Sequence, residues 1–205
     1  MRKLFCLTVM VVFCLTLLSY VSVNAQEQAE FKVAPAGSVF NFKVKEPGLF
    51  SDNIYENKMT ILSVDSITIK YQSKAPTYDN AWDLYAFTMG STRPQNLTLE
   101  NIEKIKGLFP LRVGKKVIFE IPGRQSSTTY IAEVVKIEEA KVPAGTFKTF
   151  VIETTMQDLP WFFGTQKYWY SPEIGWYVKS SWVASRKNGN DENRTRELLS
   201  YTLKK

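Results

Sequence analysis

Glu153, Asp158 and Glu173 lie close together in the chain, beside its densest run of aromatic residues, and are the side chains best placed for acid–base chemistry. Two carboxyls held roughly 5 to 9.5 Å apart across a sugar cleft hydrolyse glycosidic bonds. That makes a carboxylate-dependent glycoside hydrolase one candidate activity. The same three residues also read as strand-end or turn positions, where a solvated carboxylate is ordinary. Histidine is absent, and the two cysteines, Cys6 and Cys14, both fall within residues 1–25. Ser-His-Asp and Cys-His triads are therefore excluded from the rest of the chain, as are zinc sites of the usual type. Ser180-Ser181 beside Lys179 has no motif context for a Ser-Lys dyad. The expectation is a protein that binds rather than transforms: no catalytic residue, no cofactor and no metal.

Residues 1–25 have the layout of a secretory signal peptide. Met1-Arg2-Lys3 is a short basic start, Leu4 to Leu18 an almost unbroken apolar run, and Val23-Asn24-Ala25 a compact cleavage site before Gln26. The run falls short of the ~20 residues of a membrane-spanning helix, and no stop-transfer run follows. Phe5 precedes Cys6 and Phe13 precedes Cys14, so neither cysteine has the small neighbour of a lipoprotein cleavage site. An exported protein, periplasmic or secreted, is expected, soluble and not membrane-spanning once the signal is cleaved.

The chain has 26 basic and 20 acidic residues, and loss of Arg2 and Lys3 would leave a mild excess of four positive charges. These are scattered, apart from pairs such as Lys115-Lys116 and Lys204-Lys205, so nucleic acid is not an expected partner. Removing residues 1–25 from the 205 leaves 180, enough for one domain with a genuine core. No disulfide would support that core.

The elements that must position any site are mostly strands. Residues 26–37 are polar and read as a flexible leader, followed by one β-rich domain over 38–205. Val39 to Val44 alternates. Tyr55 to Val64 and Ser66 to Gln72 form a predicted hairpin, with Ile67, Ile69 and Tyr71 on one face. Ser73 to Pro94 is ambiguous between strand and ordered loop. Asn96 to Gly107 has helical spacing at Leu99, Ile102 and Ile105, with Thr98 as cap and Gly107 as stop. Lys116 to Ile121, Tyr130 to Glu139 and Phe147 to Met156 are strands, the last two joined by Val142-Pro143-Ala144-Gly145. Thr165 to Ser171 and Trp176 to Ala184 flank a turn at Pro172 to Gly175, and Arg196 to Leu203 closes the set. Gly145 and Gly175 suit positive φ. The fold class is mostly β: a curved antiparallel sheet or partly closed β-barrel with one short helix.

Trp161, Phe162, Phe163, Tyr168, Trp169, Tyr170, Trp176, Tyr177 and Trp182 crowd into twenty-two residues. Alternation sends Tyr168 and Tyr170 one way and Trp169 the other. It groups Trp176 and Trp182 with Val178, and Tyr177 with Lys179. One sheet face cannot hide them all, so some rings are core and others face solvent, a cavity or a partner. Trp161, Phe163, Trp169, Trp176 and Trp182 are the candidate lining of a ligand-binding surface.

Phe109 to Lys116, Val142 to Phe150, Tyr168 to Trp176 and Glu197 to Tyr201 occur in an order that resembles the DUF3108-like group of exported bacterial β-domains of unknown function. The resemblance covers roughly residues 108 to 201. It implies a periplasmic domain with a curved sheet, similar in outline to lipoprotein-carrier folds, and it implies no chemistry.

The leading reading is an exported β-domain that binds a hydrophobic ligand, a lipid or a glycan. The alternative is a structural or interaction module that presents its sheet to another envelope protein. N-terminal sequencing of the exported protein should start at or near Gln26. Retention of an acylated Cys14 would overturn that reading.

Overall fold

A computed structural model describes residues 27–48, 51–65, 68–76, 78–85, 98–122, 127–157, 162–186 and 192–205. The expected signal segment lies outside them. Ten strands follow one another: β1 (Val39–Glu46), β2 (Asn53–Asp65), β3 (Thr68–Ala75), β4 (Tyr78–Tyr85), β5 (Lys116–Pro122), β6 (Ser127–Val142), β7 (Gly145–Gln157), β8 (Phe162–Ser171), β9 (Trp176–Arg186) and β10 (Glu192–Thr202). They form one antiparallel sheet in the order β4-β3-β2-β1-β10-β9-β8-β7-β6-β5. Two meanders, β1 to β4 and β5 to β10, are thus joined where β1 pairs with β10. β4 supplies the strand in the ambiguous stretch after Ser73, and no helix among the described residues is long and apolar enough to cross a membrane.

Helix α1 (Leu99–Lys106) precedes β5, with the Thr98 hydroxyl accepting from the Asn101 amide at 3.2 Å. Ile105 is buried as its spacing predicts, but Leu99 is 82% exposed. The Asn101 side-chain amide donates to the Glu120 carbonyl of β5. That bond occupies a backbone acceptor on an outer strand and blunts the edge against further strand pairing.

The sheet curls. The Ala144 amide, in the β6–β7 turn, donates to the Leu198 carbonyl of β10 at 3.0 Å, although four sheet positions separate β6 from β10. Phe147 then meets Tyr201 edge to face at 5.9 Å. Inside the curl, Phe40 and Phe42 of β1, Met59 and Ile61 of β2, Ile152 of β7, Tyr170 of β8 and Leu198 of β10 are all buried in one cluster. Burial of each such side chain contributes roughly 1.5–3 kcal/mol relative to exposure.

Residues 27–37, expected as a flexible leader, are instead tied along the end of the curl. Ala29 bridges Leu111 through bonds of 3.0 and 2.7 Å, Phe31 meets Phe109 edge to face at 4.9 Å, and the Ala34 amide donates to the Gly175 carbonyl at 3.0 Å. Apolar side chains between the polar ones explain the order, since Ala29 and Ala34 are buried. The Tyr170 hydroxyl donates to the Lys32 carbonyl at 2.7 Å. Burial pushes the Tyr170 phenol up to about 12, with the Lys32 backbone bond pulling the other way.

Gly145 and Gly175 both have positive φ, as their turns predicted. At Gly175 (φ +64) a Cβ would lie 2.7 Å from the Ala34 nitrogen and 2.8 Å from the Val33 carbonyl carbon, whereas at Gly114 (φ +81) it would meet nothing within 4 Å. Gly114→Ala should cost on the order of 1–2 kcal/mol, the left-handed strain alone. Gly175→Ala should cost clearly more, because the leader must also move. Equal urea midpoints for the two variants would refute the close approach.

Tyr170 also generates a pH dependence. Its folded pKa lies above the ordinary 10, so the folded state holds the proton more tightly and its stabilisation is complete below pH 10. The stability should decline from pH 10 to about 12. Tyr170→Phe should shallow that decline by up to about 1.4 kcal/mol per pH unit. An unaltered alkaline profile would show that Tyr170 does not govern it.

Candidate functional site

Period two and the strand register decide which side chains share the concave face. On β10, Leu198, Arg196 and Arg194 lie on one side, opposite Phe42 and Val44 of β1, while Glu197 and Thr195 point to the convex side. On β9, Ser180 stands opposite Arg196 and Trp182 opposite Arg194. On β8, Tyr168 and Gln166 follow, and on β7, Ile152 and Thr154. The concave face therefore changes character along the strands. It is apolar at Phe40, Trp176 and Tyr201, and cationic, phenolic and amide-bearing at the other end.

Arg196 is the centre of that polar end. Its Nη1 donates to the Tyr177 hydroxyl at 3.5 Å, and the Tyr177 hydroxyl donates to the Met59 sulfur at 3.2 Å. Tyr177 stacks on Phe42 at 4.9 Å and meets Tyr168 edge to face at 5.6 Å. Burial opposes the charge on Arg196, and the phenol oxygens of Tyr177, Tyr71 and Tyr168 more than offset it, so its affinity for the proton rises. Burial also pushes the Tyr168 phenol well above its ordinary range. The Tyr168 phenol is therefore uncharged at neutral pH and offers a dipole, not a counter-ion. Among the described residues no carboxylate forms an ion pair with Arg196. Arg194 differs: its Nε lies 3.0 Å from a Glu46 carboxylate oxygen, and its guanidinium sits 5.4 Å from the Trp182 ring centroid.

The five expected lining residues do not form one surface. Trp176 is fully buried, stacked on Phe40 at 5.4 Å and on Tyr177 at 5.5 Å. The simple alternation of β9 fails here: Trp169 pairs with Lys179 and Tyr170 with Tyr177, leaving Val178 as a bulge, so both Trp176 and Tyr177 enter the core. Trp169 lies on the convex face, where its Nε1 donates to Glu138 at 2.6 Å and the Lys179 ammonium sits 5.5 Å from its ring centroid. The Lys136 bond, then the Trp169 bond, hold the Glu138 carboxyl below its ordinary value. Trp182 is on the concave face and partly buried. Trp161 and the side chain of Phe163 lie outside the described residues.

The carboxylates of the hydrolase candidate separate as well. Glu153 is cross-strand to Lys167 and pairs with it at 2.8 Å, on the convex side with Trp169's neighbour Val151. Glu173 is exposed in the β8–β9 turn, at the rim of an open groove of about 380 Å³ formed with Glu27, Glu30, Lys32 and Lys148. Glu27 in that groove is already paired with Lys148 at 2.7 Å. Asp158 lies outside the described residues. Among the described residues, no group of three or more acidic side chains is placed to hold a metal.

No protein-family model and no curated protein matches the chain. Among solved structures it is similar to a candidate lipoprotein from Parabacteroides distasonis, at 14% identity and a TM-score of 0.42, over 86% of this chain and 100% of that one. It is also similar to a candidate exported protein with a YmcC-like fold from Bacteroides fragilis, at 10% identity and a TM-score of 0.42, over 85% and 99%. A candidate outer-membrane lipoprotein-sorting domain from Vibrio parahaemolyticus is a more distant likeness, at 9% identity and a TM-score of 0.30, over 82% and 85%.

Proposed function

We propose that this chain is an exported β-domain of the DUF3108-like kind that binds a hydrophobic ligand on the open end of its concave face. Trp182 is the observation that carries the reading. Its register puts it on the side of the sheet where large rings are buried, yet it remains partly accessible, with the Arg194 guanidinium over its ring. A half-covered indole beside a cation is a surface suited to a ligand with an apolar body. Two further features agree with it. Among the described residues the outer strands β4 and β5 do not pair with each other, so the sheet is not closed by a β4–β5 ladder. Residues 1–25 supply the export signal.

A neutral pyrene-labelled long-chain alcohol, titrated into the protein lacking residues 1–25, should bind saturably near one equivalent. Trp182→Ala should weaken that binding roughly tenfold or more, the loss of a well-buried aromatic contact. Its urea stability should change by no more than about 1 kcal/mol. Trp176→Ala should instead cost roughly 3–5 kcal/mol as a core truncation. Trp169→Ala should leave binding alone, being on the other face. Absence of saturable binding, or loss of it in Trp169→Ala and not in Trp182→Ala, would overturn the reading.

A further inference from the structure

The charge on Arg196 has no use in a site for a purely apolar ligand. It sits on the core side of β10, two residues from buried Leu198, and the groups that face it are the phenols of Tyr177 (β9), Tyr71 (β3) and Tyr168 (β8). Guanidinium is protonated at any ordinary pH and presents five donors in a planar fork. Of these, Nη1 reaches Tyr177 at 3.5 Å, a long and therefore weak bond. Arg196 is nevertheless partly accessible. Arg194 on the same face differs in having a carboxylate beside it, with a Glu46 oxygen 3.0 Å from its Nε and Trp182 beneath it.

We infer that the ligand carries a single anionic head, a carboxylate or a phosphate monoester, which pairs with Arg196, while its apolar part lies against Trp182. The inference rests on the binding reading above and names the ligand class for that site. The fork geometry matches a carboxylate or phosphate bidentately, and charge-assisted bonds of this type are about twice as strong as neutral ones. The Tyr177 and Tyr168 hydroxyls lie beside the guanidinium with their protons directed to the Met59 sulfur at 3.2 Å and the Gln166 amide oxygen at 3.3 Å, so the bonds to the head come from the arginine fork. The arrangement explains the gradient along β10. Leu198 belongs to the apolar core, Arg196 holds the head, and Arg194, neutralised by Glu46, closes the rim over the indole.

The test compares ligands that share a chain and differ in the head: a pyrene-labelled fatty acid, the corresponding alcohol, and a lysophosphatidic acid as competitor against the labelled acid. The wild-type protein should bind the acid roughly 10- to 100-fold more tightly than the alcohol, the range of a charge-assisted bond shielded from water. Competition by the lysophosphatidic acid would identify phosphate as an accepted head; its failure beside tight acid binding would restrict the head to carboxylate. Arg196→Met should remove the preference and leave alcohol binding in place. It should also unfold at equal or higher urea than wild type, because an uncompensated charge is being replaced by an apolar side chain of similar length. A merely structural arginine would lose stability instead. Should that variant fail to fold, Arg196→Lys keeps the charge without the fork and should retain a reduced preference for acid. Equal binding of acid and alcohol by the wild type would overturn the inference and leave the apolar-ligand reading standing. Binding of neither would overturn both.

Discussion

A sheet with one apolar face and, among the described residues, no helical layer to cover it has to bury that face against itself. α1 has eight residues and touches β5, so it cannot roof ten strands. The curl is the remaining solution, and the bond from Ala144 to Leu198 closes it where β9 and β10 part company. The β9–β10 register ends at Lys179 and Glu197. Beyond that pair the tip of the β6–β7 hairpin meets β10 where β9 has diverged, and Trp176 and Tyr177 turn inward to pack across the curl on Phe40 and Phe42. One displaced strand end thus provides both the closure and much of the aromatic core.

The closed end is sealed a second time by the segment from Glu27 to Gly37. Its contacts are mainly backbone bonds to Leu111 and Gly175, reinforced by the Tyr170 phenol. Backbone bonds fix position with little demand on sequence, which is why so polar a segment can be ordered. Among the described residues no second segment is tied across the other end in this way. The polar side chains of the concave face gather toward that second end, where water or a ligand can satisfy them.

Most of the architecture was legible because it follows from period two. The hairpins, the helix with its Thr98 cap and the positive φ of Gly145 and Gly175 come directly from alternation and turn chemistry. The opposition of Trp169 to Tyr168 does too. The site was legible only in part, and the reason is two bulges. In β9, Val178 shifts the register, so a simple alternation assigned Tyr177 to the wrong side. In β10, Ser200 pairs with Asn41 but Leu198 with Phe42, so Leu199 is the extra residue. Counting back by twos from Tyr201 places Glu197 inside and Arg196 outside; the bulge reverses both. No local pattern announces such an insertion, because a bulge is stabilised by what packs around it. The order of residues 27–37 was illegible for a similar reason, since it depends on Phe109, Leu111 and Gly175, all more than seventy residues away from the residues they hold.

The two arginines of β10 show how burial converts the same side chain into different things. Arg194 lies toward the strand end and is matched by Glu46, the last residue of β1, which the register brings to the same face. Its charge is closed within the pair, and its plane covers Trp182. Arg196 lies one pleat deeper, where the neighbouring β1 position is Val44 and no described carboxylate answers it. Removing a guanidinium from water is expensive unless a partner replaces the lost solvation, and the 3.5 Å bond to the Tyr177 hydroxyl is a weak replacement. Stability alone would favour an apolar residue there, to continue the run of Phe42, Val44 and Leu198. The charge makes physical sense once an anion from outside is counted as part of the fold's interior.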